Sequence, residues 1–183
     1  AVGLAQNAMK DMLVENVTFI NCGQKLAKCA YDAEDGWDGM QDVTFRNLNF
    51  HDNPNNNFLT CAGHNFIIED CPLITKIHIW GRTRGLVVKN TKGAMNIGND
   101  GILKSYAPRL ENCYCMGLGA NGSCVRDCII DTTNGWDINA RLVDCQIIGC
   151  LGATVQANNC TYKFDNSSYL SSVIIENSTI EAL

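Results

Sequence analysis

The sequence predicts an all-β solenoid, in which one chain winds into stacked coils of parallel strands. The first observation is a short phrase that recurs nine times: an apolar residue, a polar residue, Asn or Asp, and then a small or apolar residue. The second is its spacing of 15 to 31 residues, because repetition near twenty residues is typical of solenoids. The recurrent Asn and Asp residues, here called anchors, are Asn16, Asn47, Asp70, Asn90, Asn112, Asp127, Asp144, Asn159 and Asn177.

Each position of the phrase has a physical reason. Asn and Asp tolerate the left-handed backbone region, so they suit a one-residue corner between two strands. Strand alternation then turns the residues two before and one after the anchor inward. If the coils stack ~4.8 Å apart, outward charges on neighbouring coils would pair at roughly 0.2–1 kcal/mol each. The outward residue before the anchor alternates in sign along the repeats Glu15, Arg46, Glu69, Lys89, Glu111 and Arg126.

The alternative of a helical repeat fails on length. Two amphipathic helices do not fit into gaps of 15 to 18 residues, and the segments are rich in Val, Ile, Thr and Phe. The repeat resembles the right-handed parallel β-helix of pectate-lyase-like proteins and phage tailspikes, over about residues 13–183. The nine anchors predict a rod of about eight to nine coils with an asparagine ladder. The resemblance is not specific for one activity.

The two ends of the repeat differ. Residues 1–13 fit a short amphipathic helix, which we expect to cap the open end of the solenoid. Residues 14–183 are expected to form the coils of a single domain. The last strand pair, in residues 171–183, has no polar cap, so we expect a continuation in a longer chain or contact with a partner copy.

Composition excludes several partners. With 46% apolar residues, 183 residues are enough for one continuous core. A net charge of −5 argues against nucleic acid as a partner. No run of eighteen apolar residues occurs, so a membrane span is not expected. The resemblance to tailspikes and lyases implies an extracellular or virion-associated location.

The eleven cysteines do not indicate a disulfide scaffold. Buried free cysteine behaves as a small hydrophobic residue, so we expect mostly reduced, structural thiols, although stacked neighbours are able in principle to oxidise. Because paired Cys-x-x-Cys motifs are absent, a metal site is not expected either. Five of the cysteines follow anchors and should share one inward column: Cys71, Cys113, Cys128, Cys145 and Cys160.

The longest gap between anchors contains an acidic loop near residues 23–41. Asp35 and Asp38 are candidates for acid–base catalysis, because glycosidases use two carboxylates ~5 to 9.5 Å apart. Between them, Trp37 offers an aromatic face on which a sugar ring would stack. A solvated acidic loop, or a Ca²⁺ site built from oxygen ligands, is the alternative.

The next coils are basic, since no acidic residue occurs from Cys71 to Asn99. Their positive side chains would bind the carboxylates of a uronic acid polymer, and the likeness to pectate lyases implies proton abstraction beside one of them. We expect the Lys and Arg side chains to bind the anionic groups of the polymer and Trp80 to stack on a sugar ring. His78 would act as an acid or base. An ordinary charged outer face is the alternative. The candidates are Lys76, His78, Trp80, Arg82 and Arg84.

Two further histidines are candidate acid–base groups. His51 ends an expected strand, although a lone His is more often a surface residue. Gly63-His64 resembles part of the Gly-His-Gly motif of polygalacturonases, but Asn65 departs from that pattern. Beyond Asn112 the coils are short and plain, and we interpret that half as scaffold.

The function expected from these features is binding of a polysaccharide along the side of the rod. Cleavage by a lyase or glycoside hydrolase mechanism, without a cofactor, is the enzymatic version, and the sequence leaves it open. The alternative is a non-catalytic structural module of a tailspike, adhesin or surface fibre, for which a homotrimer is expected.

Overall fold

The computed structural model describes residues 2–3, 9–22, 29–33, 40–53, 56–92, 95–100, 108–118, 122–131, 140–149, 155–164 and 173–182. These residues form strands and turns and include no helix. The strands are β1 (Val2–Gly3), β2 (Lys10–Glu15), β3 (Thr18–Ile20), β4 (Cys29–Ala33), β5 (Gln41–Arg46), β6 (Asn49–His51), β7 (Asn56–Glu69), β8 (Lys76–Arg84), β9 (Val87–Lys89), β10 (Met95–Asp100), β11 (Arg109–Glu111), β12 (Tyr114–Leu118), β13 (Ser123–Arg126), β14 (Ile129–Asp131), β15 (Ala140–Val143), β16 (Gln146–Ile148), β17 (Val155–Asn158), β18 (Thr161–Phe164), β19 (Val173–Glu176) and β20 (Thr179–Ala182).

The strands that precede the anchors form the first side of a parallel solenoid. In order of pairing they are β2, β5, the end of β7, β9, β11, β13, β15, β17 and β19. The register joins equivalent residues of the phrase: Val14 lies opposite Phe45, and Phe45 lies opposite Ile68. The predicted parallel β-solenoid is therefore confirmed, whereas its right hand stays a prediction.

Strands after the anchors form the second side, and a third side closes part of the rod. The second side contains the pair β3–β6 and the stack β12, β14, β16, β18 and β20. The third side contains β1, β4, the start of β7, β8 and β10, with the end of β12 paired to β10. The described residues amount to about five turns of the solenoid, fewer than the eight to nine coils expected.

The core runs along the inside of the rod, and the residue types that form it change from the first coils to the later ones. In the first coils it is aromatic: the ring of Phe45 lies 5.0 Å from that of Tyr31 and 4.8 Å from that of Phe58, centroid to centroid. Further along, aliphatic side chains and thiols replace most of the rings, and Tyr162 is again a buried ring near the last described coils. Compact residues fit there because the gaps between anchors shorten to 15–18 residues.

The anchors form the expected corners. All nine have a positive φ, between 49° and 59°. The N–H of an anchor bonds to the carbonyl oxygen before the next anchor, for example from Asn112 to Arg126 at 3.1 Å. Side-chain amides bond from coil to coil as well: Asn47 Nδ2 lies 2.8 Å from Asn16 Oδ1, and Asn112 Nδ2 lies 3.0 Å from Asn90 Oδ1. The asparagine ladder is therefore present.

A second column of corners lies five residues before the anchors and was not predicted. Asp11, Asp42 and Asn65 have φ values of 54°, 55° and 58°, and Gly85 continues the column at 65°. Asn65 Nδ2 donates to Asp42 Oδ1 at 2.9 Å. A Cβ on Gly85 would lie 2.8 Å from Asn65 Oδ1, so glycine serves both the backbone conformation and the close approach.

The outward charges pair as the sequence predicts from Glu15 to Lys89, whereas Glu111 and Arg126 pair with Arg109 and Asp144. Glu69 lies in the middle of this column of charges and pairs with both neighbours: its carboxylate lies 2.6 Å from Arg46 Nε and 2.7 Å from Lys89 Nζ. Arg46 Nη1 also lies 3.6 Å from Glu15. Hydrogen bonds from Lys89 and Arg46 lower the pKa of Glu69, since they stabilise its ionised form against the cost of burial.

The expected helical cap at residues 1–13 is wrong for the residues that the structure describes. Val2–Gly3 and Lys10–Leu13 are strands, and the positive φ of Asp11 interrupts any helix. Met9 is buried and Met12 packs against the core, so their apolar spacing reflects the inner face of a cornered strand. The expected acidic loop also contains a strand, β4, in which Cys29, Tyr31 and Ala33 are buried.

Candidate binding site

The predicted basic coil lies mostly on the third side. In β8, buried Ile77 and Ile79 alternate with Lys76 and His78, so both candidates point outward. His78 lies opposite Leu59 of β7, which in turn lies opposite Asp32 of β4. One outward column therefore brings the expected acidic segment and basic coil to the same side.

The structure brings two other candidates together at the end of β8. Arg84 lies opposite His64 in the adjacent coil, and Arg82 lies opposite Ala62. Arg82 is exposed and Arg84 is half-buried. Trp80 belongs to β8, but its side chain lies outside the described residues.

The remaining candidates are not brought to this place. His51 ends β6 on the second side, where its carbonyl oxygen accepts a hydrogen bond from the Asn21 N–H at 3.0 Å. Its side chain is exposed, on a different sheet from His78. Asp35, Trp37 and Asp38 lie outside the described residues, so their predicted roles stay predictions.

A groove that the sequence did not predict crosses the first side in the second half of the chain. It consists of two adjoining depressions, of ≈ 500 and ≈ 310 Å³. The larger is lined by Arg141, Val143, Gln156, Asn158, Ile174 and Glu176, among others. The smaller is lined by Arg109, Glu111, Cys124, Arg126, Arg141 and Val143, among others, so Arg141 and Val143 belong to both.

Two outward columns form the walls of this groove. One occupies the position three before the anchor: Arg109, Cys124, Arg141, Gln156 and Ile174 lie opposite one another on successive coils. The other occupies the position just before the anchor: Glu111, Arg126, Val143, Asn158 and Glu176. Five coils at ~4.8 Å spacing give the groove a length of roughly 20 Å along the rod axis.

Some charged side chains of the groove form ion pairs within the protein. Arg126 Nη1 lies 3.2 Å from Asp144 Oδ2, and Arg109 Nη1 lies 4.0 Å from Glu111 Oε1. Within the described part of the chain, Arg141 has no ion pair, and it is exposed. Its guanidinium, which carries five N–H donors, is therefore available to an anionic or hydroxyl-bearing ligand.

The groove offers hydrogen bonds more than metal chemistry. Gln156 and Asn158 supply amides, and Glu111 and Glu176 supply carboxylates. Among the described side chains, no group of three or more His, Cys, Asp or Glu is arranged to hold a metal ion. A helix long and apolar enough to cross a membrane is likewise not found in the described ranges.

A signal for this groove was present in the sequence. The position three before the anchor is uncharged in the first coils, as Leu13, Thr44, Ile67 and Val87. It then changes to Arg109 and later to Arg141. The alternating charges just before the anchor give no sign of this change, because it occurs in the neighbouring outward column.

Comparison with known proteins assigns no relative. No protein-family model, no curated protein and no solved structure matches this chain. The likeness to pectate-lyase-like proteins is therefore a likeness of architecture. What the structure establishes is a parallel β-solenoid with an outward groove on its first side.

Proposed function

We propose that this chain binds a linear polysaccharide along the groove of the first side. The observation that carries the proposal is a groove about five coils long, bounded by two columns of outward side chains. A repeating ligand suits a repeating surface, because equivalent outward positions recur on every coil. The groove is also concave, as binding sites for small molecules and chain segments usually are.

The side chains favour a hydroxyl-rich and acidic polymer. Arg141, Gln156 and Asn158 are donors to sugar hydroxyls or carboxylates, and Glu176 is an acceptor from hydroxyls. Arginine in particular forms paired hydrogen bonds with carboxylate groups. Uronic acid polymers carry both groups at regular spacing, so they are the first class to test.

Cleavage would require groups outside this groove. The expected acid–base residues Asp35 and Asp38, and the stacking residue Trp37, belong to the early coils. The basic column of Lys76 and His78 is their expected partner on the third side. We therefore propose cleavage as a separate activity, to be measured as new reducing ends or unsaturated products, with and without Ca²⁺.

Binding is tested by calorimetry with a panel of acidic and neutral oligosaccharides. We expect Arg141→Ala to weaken binding of an acidic oligosaccharide about tenfold, the loss of one charge-assisted hydrogen bond. Lys163→Ala is the matched control, because Lys163 lies outward on the second side and pairs with Glu181 at 3.7 Å. Equal binding by both variants, or no binding of any glycan, would remove this proposal.

A second candidate function, a non-catalytic structural module, is favoured by the bonding between coils. Amide, charge and thiol columns link successive coils over much of the described rod, as a stiff spacer requires. This function predicts a homotrimer, as in fibre proteins. Light scattering measures the mass in solution, and a monomer with glycan affinity would decide for the first candidate.

A further inference from the structure

Four cysteines on successive coils form a continuous column inside the rod: Cys113, Cys128, Cys145 and Cys160. Their exposed fractions are 4%, 2%, 3% and 3%. Each thiol donates to the carbonyl oxygen two residues before it, at S···O distances of 3.0 to 3.3 Å. All four are free thiols. This shared bond sets the four sulfur atoms at equivalent positions on neighbouring coils.

Cys145 and Cys160 are the last pair in the column. The Thr161 N–H bonds to the Cys145 carbonyl oxygen at 2.9 Å, which places Cys145 and Cys160 on adjacent parallel segments. Such segments lie ~4.8 Å apart, within the ~4.4–6.8 Å Cα separation of disulfides. Beyond Cys160 the column continues with Ser178, whose Oγ accepts the Cys160 N–H at 3.0 Å. Within the column, Cys160 therefore has one thiol neighbour, whereas Cys128 has two.

The coil that covers Cys160 is the least buried of the described coils. Every residue of β19 and β20 is at least partly exposed. Ile180, for example, is 52% exposed, whereas Tyr162 at the equivalent position one coil earlier is 1% exposed. Few buried contacts mean a low free energy of local opening. Among the described coils, this is the one that covers Cys160.

We propose that Cys145 and Cys160 are a redox-active pair, which hydroperoxides oxidise to a disulfide between adjacent coils. The Cys160 thiolate attacks one peroxide oxygen, the O–O bond breaks, and the second oxygen leaves as water after taking a proton. The product is a sulfenic acid on Cys160. The Cys145 sulfur then attacks the Cys160 sulfur, the S–O bond breaks, and the hydroxide leaves with the Cys145 proton as a second water. Two thiols are oxidised and one peroxide is reduced.

The electrostatics of the pair agree with these two roles. When Cys160 is ionised, the single proton of the Cys145 thiol is donated to Cys160 instead of to the Val143 carbonyl oxygen, which lowers the pKa of Cys160 and outweighs the effect of burial. The same hydrogen bond, together with burial, raises the pKa of Cys145. Since the thiolate is the nucleophile, Cys160 is the residue that attacks the peroxide and Cys145 is the one that resolves it.

The experiment treats the folded chain with hydrogen peroxide, in a Cys124→Ser background that removes the one exposed thiol among the described cysteines. The sample is quenched in acid, alkylated after denaturation and analysed as peptides by mass spectrometry. We expect the first oxidised species to be a peptide pair joining Cys145 and Cys160, lighter by two hydrogen atoms than the separate peptides. Reduction with dithiothreitol should reverse it.

Two serine variants separate the roles. Cys145→Ser should leave a sulfenic acid on Cys160 that dimedone traps, and Cys160→Ser should leave neither label nor crosslink on Cys145. Serine fits this column, because the Ser178 hydroxyl makes the equivalent bond to the Glu176 carbonyl oxygen at 2.7 Å. Cys160 that remains reduced under peroxide, or that pairs with a different cysteine, would overturn the proposal. The unsubstituted pair gives this answer even if a variant does not fold.

Discussion

Substitution of the anchor Asn112 measures how much one corner contributes to stability. Its φ is 51°, and its side-chain amide donates to Asn90 at 3.0 Å. Asn112→Ala replaces a residue that tolerates the left-handed region with one that does not, at up to about 1–2 kcal/mol, and removes a hydrogen bond worth about 1 kcal/mol. We therefore expect a total loss of about 2–3 kcal/mol.

Asn112→Gly gives the comparison that isolates the backbone. Glycine adopts this φ without strain, so it loses the hydrogen bond and adds about 0.4–1 kcal/mol of unfolded-chain entropy. We expect glycine to cost less than alanine at this position. The matched control is Asn158, an exposed strand residue just before an anchor, where glycine should cost more than alanine because it weakens strands.

The measurement is urea unfolding followed by circular dichroism. With a slope of ~2 kcal/mol/M, Asn112→Ala should lower the unfolding midpoint by about 1 M. If glycine costs as much as alanine at position 112, or more than alanine as expected at position 158, the left-handed corner does not contribute to stability. The physical basis of the anchor phrase would then be refuted.

Three further predictions concern stability. Phe45→Ala, at the centre of the aromatic core, should lower the free energy of unfolding by about 3–5 kcal/mol, and Phe45→Leu should cost less than half as much in the same urea assay. Gly85→Ala should cost about 1–2 kcal/mol, because its φ is 65° and the added methyl group would lie 2.8 Å from the side-chain oxygen of an asparagine one coil earlier. Because Lys89 and Arg46 lower the pKa of Glu69, the folded chain binds this proton less readily than the unfolded chain. Stability should therefore fall as the pH drops below about 4.3, and Glu69→Gln should show a smaller fall between pH 7 and pH 3 in thermal unfolding.

The anchors made most of the architecture predictable, because a corner needs a particular kind of residue. Asn16 and Asn177 stand far apart in sequence, yet both mark the same backbone turn. The first thirteen residues were misread because Met9 and Met12 are spaced as on a helix. Their spacing arises instead from the corner at Asp11, which interrupts strand alternation. A helical period and a cornered strand are therefore hard to distinguish over so few residues.

The groove was less predictable for a different reason. Arg109 and Arg141 are far apart in sequence, and only the stacking of coils brings them into one wall with Cys124 between them. Periodicity fixes which residues point outward, but it does not show which outward faces are concave. The pairing of His64 with Arg84, by contrast, depends on strand β7 continuing around a corner without a break.

The alternating charges before the anchors favour the gain or loss of an even number of coils over an odd number. Insertion of a single extra coil that carries a charge at this position, between Arg46 and Glu69, would place two charges of the same sign on adjacent coils. Duplication of two coils would preserve the alternation. Beyond Arg126 the column becomes uncharged, at Val143 and Asn158, and this restriction ends. Variants that gain or lose single coils are therefore expected in the second half of the rod, and even-numbered changes in the first.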